Sequence, residues 1–525
     1  MSDVSPPPAS PLASPLFRAL WLATIVSNIG TWMHDIGASW LMTSLSPSPL
    51  MVALVQSATT LPIFLFALPG GALADIVDRR RLLVAAQLWS LAVAALLAGL
   101  TLTGVTGPGL LLALTFALSC GSALSAPAFQ ATVPELVPPA SIPQAVALNS
   151  LGVNIARAIG PALGGLIVAL SGPAAVFALN AVSVLGIVAV LLRWRRQKNP
   201  PALPAEHFIG ALRSGLRYAL RAPDLQAVLV RSLGFFLFAS APWSLLPLIA
   251  RRDLGLGAGG YGGLLAFVGL GAVAGAIALP RIRRRLSANV VTVAATLMFA
   301  AMTALLAAAH SFAAAAAALL GAGIGWIAMM SSLNAAAQLA TAPWVKARAL
   351  ALYLLVFQGS MTAGAAFWGW VASQAGIPTA LLCAAAALGA ASILARRFAI
   401  PAATADLAPS LHWPSPETGG EIESDRGPVM VTIEYRVEPA RAAAFARAMA
   451  PLQRIRRRDG ALAWGLYEDA SAPGTIIEYF IVESWLEHLR QHARVTNADR
   501  AEQDLAGAFH LGPEPPLVRH WIAPA

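Results

Sequence analysis

Acidic residues are scarce here. The first 400 positions hold 8 Asp and Glu against 23 Lys and Arg, and 11% of the whole chain is charged. Soluble domains carry about a quarter of their residues charged, so a soluble globular protein is excluded. Cysteine is scarce as well. Cys120 and Cys383 fall in apolar segments without metal-ligand neighbours, which implies neither a disulfide framework nor a zinc site and predicts two small buried hydrophobes. Residues 1–15 are rich in Pro and Ser but lack a basic start and a small-residue cleavage site. They read as a disordered cytoplasmic tail rather than a cleaved signal peptide. No metal site and no cofactor are expected.

What the chain has instead is apolar length. Hydrophobic residues make up 57% and the mean hydropathy is +0.68. From about residue 16 to 398, apolar runs of roughly 20–28 residues alternate with short polar breaks, each long enough to cross about 30 Å of hydrocarbon as a helix. Twelve such runs are expected: 17–44, 49–76, 82–104, 108–132, 142–170, 174–193, 224–250, 260–282, 288–309, 312–339, 346–373 and 377–397. The basic surplus lies in this part, while residues 401–525 hold 12 Lys and Arg against 17 Asp and Glu. It therefore reads as membrane topology, not as nucleic-acid binding. With the N-terminus inside, cytoplasmic loops collect Arg79 to Arg81, Arg193, Arg281, Arg283 to Arg285, Lys346 and Arg396, and the outer loops hold only Arg251 and Arg252.

The expected organisation follows in chain order. A tail (1–15) precedes a six-helix half (16–193) and a cytoplasmic linker (194–223). A second six-helix half (224–398), a linker (399–427) and a cytoplasmic domain (428–525) complete it. Within the first linker, Phe208, Leu212, Leu216 and Leu220 line one helix face and Arg213, Arg217 and Arg221 the other. That pattern predicts a helix along the interface near anionic lipid. A shift of 204 residues carries Gly71 onto Gly275, Arg79–Arg81 onto Arg283–Arg285, Gly160 onto Gly364 and Gly165 onto Gly369. This is the mark of a parallel six-helix repeat with a central site between the halves. Asp75 falls on Leu279, so the second copy lacks its acid.

Three sets of residues are candidates for function. The turn Gly71-Ala72-Leu73-Ala74-Asp75-Ile76-Val77-Asp78-Arg79-Arg80-Arg81 packs two acids and three arginines between apolar segments. Such charge must lie at or outside the membrane surface, and an ordinary charged loop would read the same way. The fifth span carries Ala147-x8-Ala156-x3-Gly160-Pro161-x2-Gly164-Gly165, a small-residue face suited to tight helix packing. In the first span Asn28, Thr31 and Asp35 form a polar stripe with Trp32 beside it, and His34 lies about 100° round the helix. A second stripe in the fifth span joins Ser150, Asn154, Arg157 and Pro161. Unpaired charge in hydrocarbon is costly, so both stripes should face a hydrated cavity or each other. Asp35, with His34, is then expected to exchange protons with substrate near Asn28 and Arg157. A structural Asp35–Arg157 pair is the alternative. Arg231, Phe235, Trp243, Trp326, Met329, Met330, Asn334 and Gln358 are expected to line the same cavity from the second half.

The turn resembles the loop between the second and third helices of the major facilitator superfamily, departing at Ile76. The resemblance implies a conformational latch at Asp75 and Arg79, with Gly71, Asp78 and Arg80 in the same motif. The fifth span resembles that superfamily's exporter motif, with Ala147 and Ala156 in place of two glycines, and implies proton-coupled efflux. The membrane part resembles the transmembrane secretion effector branch, which includes the enterobactin exporter.

The last 98 residues read as β-α-β-β-α-β, with strands at 429–437, 462–467, 475–483 and 516–522 and helices at 439–458 and 485–507. That order predicts a ferredoxin-like α+β module. Around Glu483-Ser484-Trp485-x-Glu487-His488-Leu489-x-x-His492 it resembles the dimeric antibiotic-biosynthesis monooxygenase barrels, which need no metal or organic cofactor. His488 and His492 share a helix face at metal-binding spacing, but no third ligand is evident. A docking or self-associating module is expected. The whole reads as an all-α polytopic membrane protein plus this module, not an enzyme, in a bacterial inner membrane with both termini cytoplasmic. Its expected partners are protons, the bilayer and a small amphipathic, siderophore- or drug-like substrate. The alternative is a bifunctional protein whose tail modifies the exported compound.

Overall fold

Hydrocarbon offers no partner to backbone N–H and C=O groups, so apolar runs of this length must close their hydrogen bonds as helices. In the computed structural model they do. It describes residues 10–138, 141–194, 208–400 and 406–524, apart from 415, 417, 419, 421 and 424. The helices are α1 (Pro15–Leu45), α2 (Pro49–Ile76), α3 (Arg79–Leu102), α4 (Pro108–Thr132), α5 (Ile142–Ser171) and α6 (Pro173–Arg193), followed by α7 (Phe208–Arg221). Then come α8 (Pro223–Leu248), α9 (Ala258–Arg283), α10 (Ala288–Ala307), α11 (Phe312–Leu339), α12 (Lys346–Ala375), α13 (Ile377–Ala391) and the single turn α14 (Leu394–Arg397). Proline opens α1, α2, α4, α6 and α8, where its missing N–H removes a donor that has no helical acceptor.

Among the described residues, eleven helices are long and apolar enough to cross a membrane. The sequence leads to twelve. The difference is α1, whose 31 residues include Ser27, Asn28, Thr31, His34 and Asp35. That polar content lowers its hydropathy without breaking the helix. Contacts divide the chain into two compact units. The first comprises residues 1–203, 230–333 and 354–399, the second residues 204–229, 334–353 and 400–525.

In the first unit α1 packs on α5 and α6, α2 on α4, α3 on α4 and α6, and α10 on α13. The α1–α6 group meets the α8–α13 group through α5 and α9. The sequence repeat is also a repeat of backbone shape. Gly172 turns the chain from α5 to α6 at φ 79°, and Gly376, 204 residues on, turns it from α12 to α13 at φ 86°. Only glycine enters that region without strain. The cysteines depart from expectation: Cys120 is half-buried and Cys383 exposed. A helix that faces lipid carries apolar side chains outward, so apolar surroundings in sequence do not imply burial.

In the second unit, β1 (Val429–Arg436), α15 (Ala442–Asp459), β2 (Ala463–Glu468), β3 (Thr475–Val482), α16 (Trp485–Arg494), α17 (Asn497–Gly507) and β4 (Leu517–Ile522) follow one another. The sheet is antiparallel throughout, in the order β2-β3-β1-β4. Val429, Val431, Ile433 and Tyr435 alternate onto the face packed against Phe445, Met449, Leu452 and Trp485. The single helix expected over 485–507 is two. Thr496 accepts from the Asp499 N–H while the Asp499 carboxylate accepts from the Thr496 N–H, and this capping box restarts the chain as α17.

Candidate functional site

Asp78 caps α3, its carboxylate accepting from the Arg81 N–H at 3.1 Å. Three arginines are thereby held in the first turn. Arg79 Nη1 donates to Glu135 Oε1 at 2.7 Å and to the Ala131 carbonyl at 3.3 Å, joining the start of α3 to the end of α4. Arg80 donates to the carbonyls of Leu191 and Leu192 at 2.8 and 2.5 Å, satisfying the last turn of α6. The side chains of Gly71 and Asp75 lie outside the described residues. Glu135, overlooked in the sequence, is a carboxylate partner of Arg79. Its signal was there, since so few acids occupy the membrane part.

On α5 the exporter-like residues do two different jobs. Ala156, Gly160, Pro161, Gly164 and Gly165 are all buried. A Cβ added at Gly160 would fall 2.5 Å from Trp32 Cβ, and one at Gly164 2.9 Å from Met33 Cα. These two seat α1. A Cβ at Gly165 would fall 2.7 Å from Gly262 Cα on α9, so this position seats the other group of helices. The repeat carries both jobs across: Gly364 of α12 lies against Leu237 and Ser240 of α8, and Gly369 against Leu50 and Ala53 of α2. Sequence repetition thus translates into a pseudo-symmetric pair of crossings, α5 on α9 and α12 on α2.

The polar residues inside the spans do not gather at one point. His34 is fully buried, packs at a tilt against Phe177 of α6 with ring centroids 4.7 Å apart, and neither ring nitrogen has a hydrogen-bond partner among the described residues. It therefore turns toward α6. Asp35 is half-buried on α1, within electrostatic reach of Tyr261 of α9. Arg157 rests over Trp32 at 5.9 Å, and no ion pair joins it to Asp35 among the described residues. The expected alternative of an Asp35–Arg157 pair is corrected here. Gly160 lies beside Ile29 and Trp32, so Arg157 sits about 10 Å below Asp35 along the parallel helices α1 and α5. Asn28 is half-buried, and Asn154 donates to the Ser150 carbonyl at 2.9 Å.

Arg231 does not line an open cavity. It is 5% exposed and donates to Asn289 Oδ1 at 2.7 Å and Thr292 Oγ1 at 2.5 Å, tying α8 to α10. Phe235, Trp243 and Trp326 pack with Phe236, Phe299 and Phe357 in one aromatic cluster, with ring centroids 4.5–6.4 Å apart. The rings meet edge to face or tilted, the arrangement that aromatic quadrupoles favour.

In the second unit, two arginines of the basic face of α7 meet acids of the tail. Arg217 pairs with Glu487 at 3.3 Å and Arg213 with Glu483 at 3.9 Å. Glu487 also binds Arg494 at 2.5 Å, and the Arg494 guanidinium stacks over Trp344 at 4.7 Å. Tyr218 of α7 accepts from the Ala342 N–H and donates to the Ala340 carbonyl, both at 3.2 Å. The tail, α7 and the α11–α12 connection thus share one charged and aromatic seam.

Inside the tail Glu478 is fully buried and receives Arg456 at 3.0 Å, Trp464 at 2.9 Å and Tyr435 at 3.4 Å. Its place was legible, since it alternates with Ile476 and Phe480 on the inner face of β3. His488 and His492 hydrogen-bond each other, Nε2 to Nε2, at 3.3 Å, with His520 beside them. Burial, then repulsion from His492 and His520, pushes the His488 imidazole down to about 3. Burial and the nearby His520 and Arg456 push His492 down to about 4. Both rings are neutral at physiological pH.

The membrane fold is that of multi-pass transporters. It matches a bacterial homologue of the human lysosomal transporter Spinster with a TM-score of 0.59 at 14% identity, over 74% of this chain and 97% of that one. It matches a peptide transporter of the POT family at 0.61 and 13%, over 73% and 96%. The chain belongs to the transmembrane secretion effector family of the major facilitator superfamily, whose profile matches residues 7–525. It is therefore a multi-pass membrane protein of a transporter family rather than an enzyme. It is 29% identical over 266 residues to the enterobactin exporter EntS of Shigella boydii, half of this chain and 62% of that protein. It is 32% identical over 166 residues to the staphyloferrin A transporter of Staphylococcus aureus, 31% of this chain and 41% of that protein. An uncharacterised transporter, YfiS of Bacillus subtilis, is 28% identical over 225 residues, 41% and 53% of the two chains. The chain thus matches about half the length of these relatives.

Proposed function

We propose that this protein exports small amphipathic molecules of the siderophore type across a bacterial inner membrane, driven by proton exchange. The observation that carries the substrate class is its similarity to two siderophore transporters, for enterobactin and staphyloferrin A. In this reading α1 is the twelfth span, both termini are cytoplasmic, and two six-helix halves rock about a central site. Asp35 exchanges the proton. Its support is an acid placed inside a span, within electrostatic reach of Tyr261 of α9, where an ionisable group calls for water, a partner or substrate. His34, Asn28, Arg157 and Arg231 shape the surrounding helices, and Asp75 acts with Arg79 in a latch at the α2–α3 turn.

The tail is read as a ferredoxin-like module, supported by the strand order β2-β3-β1-β4 and the helix positions. Its outward sheet face carries Met430, Ile477, Leu517 and Trp521 around a cavity of about 180 Å³, and we read it as a self-association face. The test is accumulation of a panel of siderophores and drugs in cells with and without the protein. Lower accumulation of siderophores in cells that carry it is expected, and no difference across the panel would overturn the reading.

A further inference from the structure

Arg251 and Arg252 break the charge pattern of the membrane part, standing at the end of the bundle that is otherwise poor in arginine. Placing positive charge on that side opposes the usual distribution, so these two residues call for a compensating role. The backbone there is unusual too. Instead of an ordinary cap, α8 runs into one π-turn, Ile249–Asp253, closed by the Leu254 N–H on the Ile249 carbonyl at 3.0 Å. Single π-turns are rare and, where they occur, frequent at functional sites.

The two arginines here are aimed at the end of α1. Arg251 Nη1 donates to Thr43 Oγ1 at 2.9 Å and to Ser44 Oγ, and its guanidinium stacks over Trp40 at 5.5 Å. Arg252 Nη2 donates to the Pro47 carbonyl at 2.6 Å. Trp40 in turn stacks on Tyr261 of α9 at 5.9 Å and 19°. The last two turns of α1 are thus gripped from both sides of the α8–α9 connection, by hydrogen bonds above and ring stacking below.

We propose that Arg251 and Arg252 are the latch that keeps this end of the bundle shut, and that release of cargo on this side requires both to let go. The proposal rests on the alternating-access reading above, with this end facing outward. The same closed side holds Ser57, which is buried and donates to the Thr362 carbonyl across α2 and α12 at 2.9 Å.

The test uses a Ser57→Cys reporter in full-length protein with Cys120→Ala and Cys383→Ala. An impermeant thiol reagent is added from outside, and labelling of membrane-inserted protein is timed without any substrate. R251A/R252A should label at least about fivefold faster, the size of an ordinary coupling between two states. Arg251→Lys, which keeps the charge but loses the planar fork, should fall between that and the parent. A Gly165→Val variant, which wedges α5 from α9, serves as the opened control. Parental labelling in R251A/R252A with fast labelling in the wedged protein overturns the latch and leaves alternating access standing. Labelling in neither overturns both. Should the double variant fail to insert, the single Arg251→Ala and Arg252→Ala proteins carry the same readout.

Discussion

Gly165 of α5 and Gly262 of α9 meet backbone to backbone, with a Cβ at either position falling 2.7–2.8 Å from the other's Cα. Overpacking such a contact costs about 1–3 kcal/mol. Gly165→Val should therefore reduce the population with this crossing closed by about 5- to 150-fold relative to the opened one. Gly369→Val should do the same at the repeated crossing with α2. Hydrogen exchange of α9 and α2 measures it, and unchanged protection in both would show that the crossings tolerate a side chain.

Glu487 holds Arg217 and Arg494 together where the tail meets α7. Hydrogen bonds to charged groups are worth about 1.5–3 kcal/mol each. Glu487→Arg should thus raise amide exchange around Tyr218 in α7 by about 10- to 100-fold, and Arg217→Glu added to it should restore most of the protection. Equal exchange in all three proteins would mean that the seam is held by its aromatic contacts alone.

His488 and His492 are neutral in the fold, with pKa values pushed down to about 3 and about 4. An unfolded histidine binds its proton near pH 6.5. The unfolded tail therefore takes up more protons below that point, and stability falls as pH drops from about 6.5 toward 4. For His488, which is 1% exposed, the loss by pH 5 is about 2 kcal/mol. Exchange rates of β1 and α16 amides in the full chain, corrected for the intrinsic pH effect, should rise between pH 7.5 and pH 5. His488→Leu should flatten that rise.

The membrane helices were legible because apolar length alone dictates them, and the repeat because glycines such as Gly172 and Gly376 answer to backbone geometry. The direction of His34 was not. Its position 100° from Asp35 says that the two diverge, but only packing says that α6 receives the imidazole. The distance between Asp35 and Arg157 depends on the register of α1 against α5, which no single helix encodes. For α7 the basic face was readable and its partner was not, because Glu483 and Glu487 lie some 270 positions away. The break at Thr496 was written in the chain as Thr-x-x-Asp, a capping box inside what reads as one helix.

Proton-driven transport tests the account most directly. Purified protein in proteoliposomes, with enterobactin as the probe, should move it when a pH gradient is imposed and stop when a protonophore collapses the gradient. Asp35→Asn, present at the same level, should lose gradient-driven movement altogether. Transport by Asp35→Asn at the parental rate, or transport indifferent to the gradient, would contradict the claim that this acid couples protons to export.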